Sequence, residues 1–397
     1  MGLPNVGKST LFNALSRSQL AQASNFPFTT IKPNIADAIC PDPNLYTLGR
    51  LAGSLKVVPW VISIKDIAGL IAGASSGAGL GNAFLGDIRE SAAVVQVVRC
   101  YEDDDVIHVL DKPSPARDIG IIENELILAD LQSVEKRLPL ARKKVVGAEG
   151  EAHARWLGEL LPLLEAGLPA RLLEGTVAPR DLPMWHRLNL LTQKPMLYVA
   201  NVAEADLPGC ANALTQEALG AIEERWREQQ KSAPAAPAPT AAASKGAAGA
   251  APAPLPAARP PPPLITLCAK VESELALLED AERVAYLGAY GLKASGLDEL
   301  LTRTAELLGL MAYYTTGPQE TRAWCIPVGS TLPRAAGAIH SDMERGFIAA
   351  EVISFEDILA AGSEKAAREG GRVRSEGKDY IVRSGDVCVF KFKPPQK

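Results

Sequence analysis

Four short apolar runs punctuate the first two thirds of the chain: Val57-Val58-Pro59-Trp60-Val61-Ile62-Ser63-Ile64, Ala93-Val94-Val95-Gln96-Val97-Val98, Met196-Leu197-Tyr198-Val199-Ala200 and Leu264-Ile265-Thr266-Leu267-Cys268. They are rich in β-branched residues and carry no charge, which predicts buried strands. Stretches with helical spacing, such as Thr10 to Ser16, lie between them. Short apolar strands alternating with helices predict an α/β fold built on a doubly wound parallel sheet covered on both faces.

Two other patterns interrupt this alternation. Across residues 118–192, Ile119, Ile122, Leu126, Ala129, Leu131, Val134 and Leu138 recur at helical spacing among Glu, Lys and Arg, so a helical insertion is expected there. Its cationic stretch, Lys136-Arg137 through Arg142-Lys143-Lys144, suits a solvated face or a contact for RNA or an acidic partner. From Ser232 to Pro263 Ala and Pro make up about three quarters of the residues, too little apolar bulk to pack. Because the strand pattern resumes at Leu264, this tract reads as a disordered insertion inside the domain. After Leu310 the segments Arg322 to Val328, Glu351 to Ile353, Asp379 to Val382 and Asp386 to Phe390 predict a small mixed sheet, with a helix around Ala335 to His340. The expected division is therefore 1–117 with 193–305, an insertion at 118–192, and a last unit at 306–393.

Composition narrows the classes. A length of 397 residues suits two or three domains, and no apolar run approaches the ~20 residues that span a bilayer. A net charge of −5 and pI of about 5.6 argue against a DNA-coating role, since the summed field repels phosphate. The six cysteines form no C-x-x-C pairs and read as buried thiols of a reducing compartment; with four histidines they leave little for a structural zinc. A cytoplasmic protein is expected, a plastid being the alternative; the start shows neither a signal-peptide core nor a transit segment. Met1 leads directly into Gly2, where a phosphate loop ordinarily follows a buried strand, and we expect a truncated start lacking roughly ten residues.

Gly2-x-x-x-x-Gly7-Lys8-Ser9 has the spacing of a phosphate-binding loop, in which backbone N–H groups of Asn5, Val6 and Gly7 through Thr10 converge on phosphate, Lys8 reaches the β- and γ-phosphates and Ser9 ligates Mg²⁺. Asp66-Ile67-Ala68-Gly69 follows an apolar run, placing a carboxylate where it can hold Mg²⁺ through water while the Gly69 amide senses the γ-phosphate. Between them Thr30 is the candidate switch residue that closes on Mg²⁺. Asn201-Val202-Ala203-Glu204 closes the third run, at the edge where a base is read, and Cys268-Ala269-Lys270 follows the fourth as the last base-contacting loop. GTPases of this layout carry Asn-Lys-x-Asp; here Val202 replaces the Lys and Glu204 the Asp. Adenine has an acceptor where guanine has a ring N–H, so loss of the Asp removes the guanine-specific pairing and favours ATP over GTP. A conventional GTPase and a non-hydrolysing ribosome- or RNA-binding module are the alternatives.

With these residues in view, the chain resembles the YchF family, the Obg-like ATPases of the translation-factor class of P-loop proteins. The resemblance rests on Gly2 through Thr10, Asp66 through Leu70, Gly79-Leu80-Gly81-Asn82, Val97-Val98-Arg99-Cys100, Asn201-x-x-Glu204 and the stretch from Arg322 to Tyr380. It implies a nucleotide domain interrupted by an α-helical coiled coil and followed by a TGS domain, a ubiquitin-like β-grasp unit. It implies slow, Mg²⁺-dependent hydrolysis of ATP by a monomer that associates with ribosomes or ribosomal RNA. Leu70 stands where Ras-like enzymes carry a water-orienting glutamine, and Gln96 stands where family members often place a His; Gln96 is thus a candidate water-positioning residue or, alternatively, a packed strand residue. In related P-loop proteins the loop Asn, here Asn5, helps bind K⁺. In the last unit Arg322, Arg345, Arg368, Arg372, Arg374 and Lys378 could face RNA or solvent, and Trp324 and Tyr380 are core or stacking residues.

Overall fold

The structure, a computed structural model, describes residues 1–23, 34–67, 69, 80–143, 145–232 and 260–393. Thr30, Leu70, and most of the Ala/Pro tract lie outside the described residues.

The first segment runs through α1 (Lys8–Ala23), β1 (Ile35–Ile39), α2 (Pro43–Ala52), β2 (Lys56–Val58), β3 (Val61–Lys65), α3 (Leu80–Glu90) and β4 (Val94–Arg99). A helical segment follows, with α4 (Pro115–Lys143), α5 (Gly147–Glu165) and α6 (Leu182–Arg187). The chain returns through β5 (Met196–Asn201), α7 (Ala213–Ser232), β6 (Leu264–Leu267), α8 (Ala269–Leu275), α9 (Asp280–Ala289) and α10 (Gly296–Leu307). It ends with β7 (Leu310–Thr315), β8 (Glu320–Pro327), α11 (Leu332–Ile339), α12 (Ser341–Arg345), β9 (Phe347–Ser354), α13 (Phe355–Ala361), α14 (Glu364–Glu369), β10 (Arg374–Glu376) and β11 (Asp386–Phe392).

The uncharged β-branched runs become β4, β5 and β6, paired in parallel in that order, and every residue of β5 is buried. Strands covered on both faces by helices need apolar side chains at successive positions, which is what these runs supply. The parallel sheet is narrower than expected, because β1 and β3 form a separate antiparallel pair. A groove of about 370 Å³ separates β3 from β4, lined by Leu11, Ile62, Val95 and Leu300 and reaching Lys8 and Asp66. On the β4 side Met1 pairs in parallel with Gln96: its amino group donates to Val95 O at 2.8 Å and its carbonyl accepts from Val97 N at 2.8 Å.

The run Val57 to Ile64 is two strands, not one. Pro59 has no N–H to donate to a ladder, and the chain breaks at Pro59-Trp60. β3 pairs with β1, whereas β2 joins the edge of the C-terminal sheet, in parallel with β8. Residues 43–58 follow it: Leu45 and Leu48 of α2 pack with Tyr314, Ala323 and Ile353. Asp42 caps α2 by accepting from Leu45 N and also accepts the Tyr314 hydroxyl at 2.9 Å. The expected boundary of the first segment at 1–117 therefore needs correction, since this excursion belongs by packing to the last unit.

The last unit is a mixed sheet in the order β10-β9-β11-β7-β8-β2, with the β7–β8 hairpin antiparallel, β11 parallel to β7, and α11 held against it by Tyr313 Oη on Ala335 O at 2.7 Å. The strand expected at Asp379 to Val382 is absent; a turn closed by Tyr380 N on Gly377 O leaves only a bridge from Ile381 to Thr331, and the strand is β10. The cations of this unit are largely spent on neighbours: Arg368 on Glu351 and Glu364, Arg345 on Asp342, Arg372 on Asp357. Arg322 and Arg374 lie over Trp324 and Tyr380, at 5.0 and 5.4 Å.

Helix α4 serves two cores. Its first half buries Ile119, Ile122, Leu126 and Ala129 against the parallel sheet, and its second half packs Val134 and Leu138 on Trp156, Leu157 and Leu160 of α5. At the junction Glu123, 1% exposed, accepts from Arg171, from Arg225 of α7 at 3.1 Å and from Gln229 of α7 at 3.0 Å. Burial pushes its carboxyl up, but Arg171 and Arg225 outweigh this and hold it below the usual range. Glu123→Gln leaves two cations without a countercharge and is expected to cost about 3 kcal/mol in urea unfolding at pH 7. A depressed carboxyl stabilises above its unfolded value of about 4.3 and loses that contribution as pH falls through the folded value. The difference between wild type and variant should accordingly narrow on acidification below pH ~4.

Candidate functional site

The loop ahead of α1 turns on residues of positive φ, Asn5 at 59° and Gly7 at 96°. At Gly7 a Cβ would stand 2.3 Å from Asn201 Nδ2, so both the backbone and the space exclude a side chain. Val6 is buried below the loop, and Ser9 and Thr10 lie in the first turn of α1. A helix start of this kind presents unpaired N–H groups and a positive dipole end, a site for phosphate. Lys8 Nζ donates to Leu3 O at 2.7 Å within the same loop. Burial lowers the Lys8 ammonium pKa, partly opposed by Asp66.

Asp66, one residue past β3, is fixed by its backbone N–H on Asn34 O and by Ser9 Oγ, which donates to Asp66 Oδ2 at 3.2 Å. A hydroxyl and a carboxylate from two separate motifs thus converge beside Lys8. This pair of hard oxygen donors fits Mg²⁺, which keeps several waters and takes few protein ligands. Gly69 also comes to the loop, its Cα region against Pro4. Asn5 Nδ2 donates to Ile107 O at 3.1 Å, tethering the phosphate loop to the segment after β4.

At the end of β5, where the sequence pattern puts the base, Asn201 is 4% exposed, and both its amide nitrogen and its oxygen are bonded. Its Nδ2 donates to Val6 O at 3.0 Å, and its Oδ1 accepts from Ala269 N at 2.9 Å. One side chain therefore joins the phosphate loop, the end of β5 and the start of α8. Val202 is buried in the core, so no stem lies along a base at that position. Cys268, also buried, precedes α8, and burial pushes its thiol up. Glu204 accepts from the Tyr290 hydroxyl through Oε1 and from Lys270 Nζ through Oε2 at 2.9 Å. The Tyr290 bond, then Lys270, lowers its carboxyl pKa.

Gln96 is buried on β4, in register with Tyr198 of β5, and its Oε1 has no partner among the described residues. No hydrogen bond joins it to Lys8, Ser9 or Asp66 among the described residues. Two contacts leave no local trace in the sequence: Lys270, in the loop expected to contact the base, pairs with Glu204 across 66 residues, and Tyr290, 86 residues from Glu204, sits in no motif. No group of three or more metal-ligating side chains occurs among the described residues, and no helix there is long and apolar enough to cross a membrane.

A parallel α/β sheet whose loops bring Lys8, Ser9 and Asp66 together, with Asn201 at the base side, defines a P-loop nucleotide hydrolase. Comparison with known proteins narrows this. A family model described as a 50S ribosome-binding GTPase matches residues 1–132, and YchF-GTPase_C, described as a protein of unknown function (DUF933), matches residues 310–393. The ribosome-binding ATPase YchF of Bacillus subtilis (strain 168) is 42% identical over 394 residues, covering 99% of this chain and 98% of its own. That of Escherichia coli O157:H7 is 40% identical over 397 residues, with the same coverage. The solved YchF GTPase of Schizosaccharomyces pombe superposes with a TM-score of 0.80 at 31% identity, over 98% of this chain and 96% of that one. The chain belongs to the YchF family.

The close approach at Gly7 yields a direct test. Gly7→Ala is expected to weaken binding of a fluorescent ATP analogue by about 30-fold, because the free loop relieves ~2 kcal/mol of backbone strain by leaving this conformation and must take it up again to bind phosphate. Gly53→Ala, also at positive φ but in open space at the end of α2, should leave affinity within about twofold.

Proposed function

We propose that the protein is a slow Mg²⁺-dependent ATPase that prefers ATP to GTP and acts as a nucleotide-controlled switch on the ribosome. The observation that carries this reading is the convergence of Ser9 and Asp66 beside Lys8, joined through Asn201 to a base side whose carboxylate already has two protein partners. Family membership supports it: the Bacillus subtilis and Escherichia coli relatives are named ribosome-binding ATPases.

In this account the Asn5 to Thr10 backbone cradles the phosphates, and Lys8 leaves Leu3 O to meet the β- and γ-oxygens. Ser9 and Asp66 would hold Mg²⁺, Asp66 through water, and the ion supplies positive charge against the phosphate oxygens when bound. Thr30 closes on the same site as the switch, and the Gly69 amide reports the γ-phosphate. Gln96 orients the attacking water once the loops close, and Asn5 would hold K⁺ through its Oδ1, the oxygen that its bond to Ile107 O leaves uninvolved. Val202, Cys268 and Ala269 shape the base cleft, and Glu204, each oxygen of which already accepts from a protein donor, does not offer the free paired acceptor that guanine requires. The GTPase reading draws support from the names of the amino-terminal family model and of the Schizosaccharomyces pombe structure.

Titration with ATP and GTP separates the two: tighter ATP binding supports the ATPase, tighter GTP binding refutes it. Lys8→Ala should lower kcat by about 100-fold or more, as loss of a charge-stabilising donor does. Co-sedimentation with ribosomes should be stronger with a non-hydrolysable ATP analogue than with ADP, and equal recovery would contradict a switch.

A further inference from the structure

Glu204 ends a row of hydrogen-bonded side chains that runs across α8 and α9. The Tyr286 hydroxyl donates to Glu274, the Tyr286 and Tyr290 hydroxyls are 3.5 Å apart, Tyr290 donates to Glu204 Oε1, and Lys270 donates to Glu204 Oε2. The two tyrosine rings pack with centroids 5.2 Å apart. Gly291, at φ 68° directly after Tyr290, turns the chain against Pro208 of the loop that follows Glu204. The tyrosine is therefore held where it meets the carboxylate by α9, by Tyr286 and by this turn.

Guanine is read by a carboxylate that accepts its ring N–H and its 2-amino N–H together, one on each oxygen. In this protein each oxygen of Glu204 already serves a protein donor. Guanine must displace or share these donors, whereas adenine, which offers one exocyclic amine and no ring N–H, makes no paired demand on the carboxylate. The geometry points to Tyr290, assisted by Lys270, as a specificity-determining residue that keeps Glu204 from pairing with guanine. This rests on the proposed placement of the base beside Glu204.

The test is titration of the full chain with fluorescent ATP, GTP and ITP analogues. Tyr290→Phe should tighten GTP about fivefold and leave ATP within about twofold, a modest effect because the cluster is solvent-exposed and screened. ITP, which has the ring N–H but lacks the 2-amino group, should gain less than GTP. Lys270→Met frees the other oxygen from a different helix and should shift the ratio the same way, so the inference stays testable if one variant does not fold. Tyr286→Phe leaves both Glu204 contacts intact and should not shift it. An unchanged GTP-to-ATP ratio in both Tyr290→Phe and Lys270→Met, or an equal shift in Tyr286→Phe, overturns the inference. The wild-type preference judges the ATPase proposal, and the change of ratio between wild type and variant judges this one.

Discussion

One buried carboxamide holds the nucleotide site together. Asn201 spends its donor on Val6 of the phosphate loop and its acceptor on Ala269 at the start of α8, from a position where β5 ends. Buried amides without partners are costly, so the loops on both sides keep their positions only together. Gly7 follows from this: the loop must come within reach of Asn201 Nδ2, and only a residue without a Cβ allows it.

The same constraint extends beyond the site. The loop after Asn201 leads through Glu204 and Asn212, whose side chain donates to Cys100 O at 2.7 Å, into α7. From α7, Arg225 and Gln229 bind Glu123 on α4, the helix that carries the α4–α5 pair. The base-side loop and the helical segment are thus joined through charged and polar contacts that burial strengthens. On the other side β2 and α2 pass from the neighbourhood of β3 into the core of the C-terminal sheet, where Tyr314 grips Asp42. Each outer unit therefore has a physical link to the nucleotide-binding core.

How much of this was legible depended on the range of the interaction. The runs that became β4, β5 and β6 could be read because strands buried on both faces must be apolar at every position. The split of α4 between two cores was hidden, since its apolar spacing is the same on either side of Asp130. Pro59 marked a break that the flanking valines outweighed, and the pairing of β2 with a strand over 260 residues away left no local trace. The Gly2 to Ser9 spacing and Asp66 point to phosphate and metal chemistry because such motifs are built from short segments, and the structure brings the two segments together through the Ser9 to Asp66 bond. Tyr290 could not, since a tyrosine between two helices has no local signature and its role exists only through a fold that brings α9 to β5. Thr30 and Leu70, by contrast, were singled out by motif but lie outside the described residues.

The central claim is that Asn201 couples the phosphate loop to the base-side loop. Hydrogen exchange of the Ala269 amide, measured with and without pyrophosphate and Mg²⁺, tests it most directly, because pyrophosphate touches the phosphate loop and carries no base. The account predicts slower exchange at Ala269 when pyrophosphate binds. Unchanged exchange at Ala269, with protection confined to the loop before α1, would contradict it.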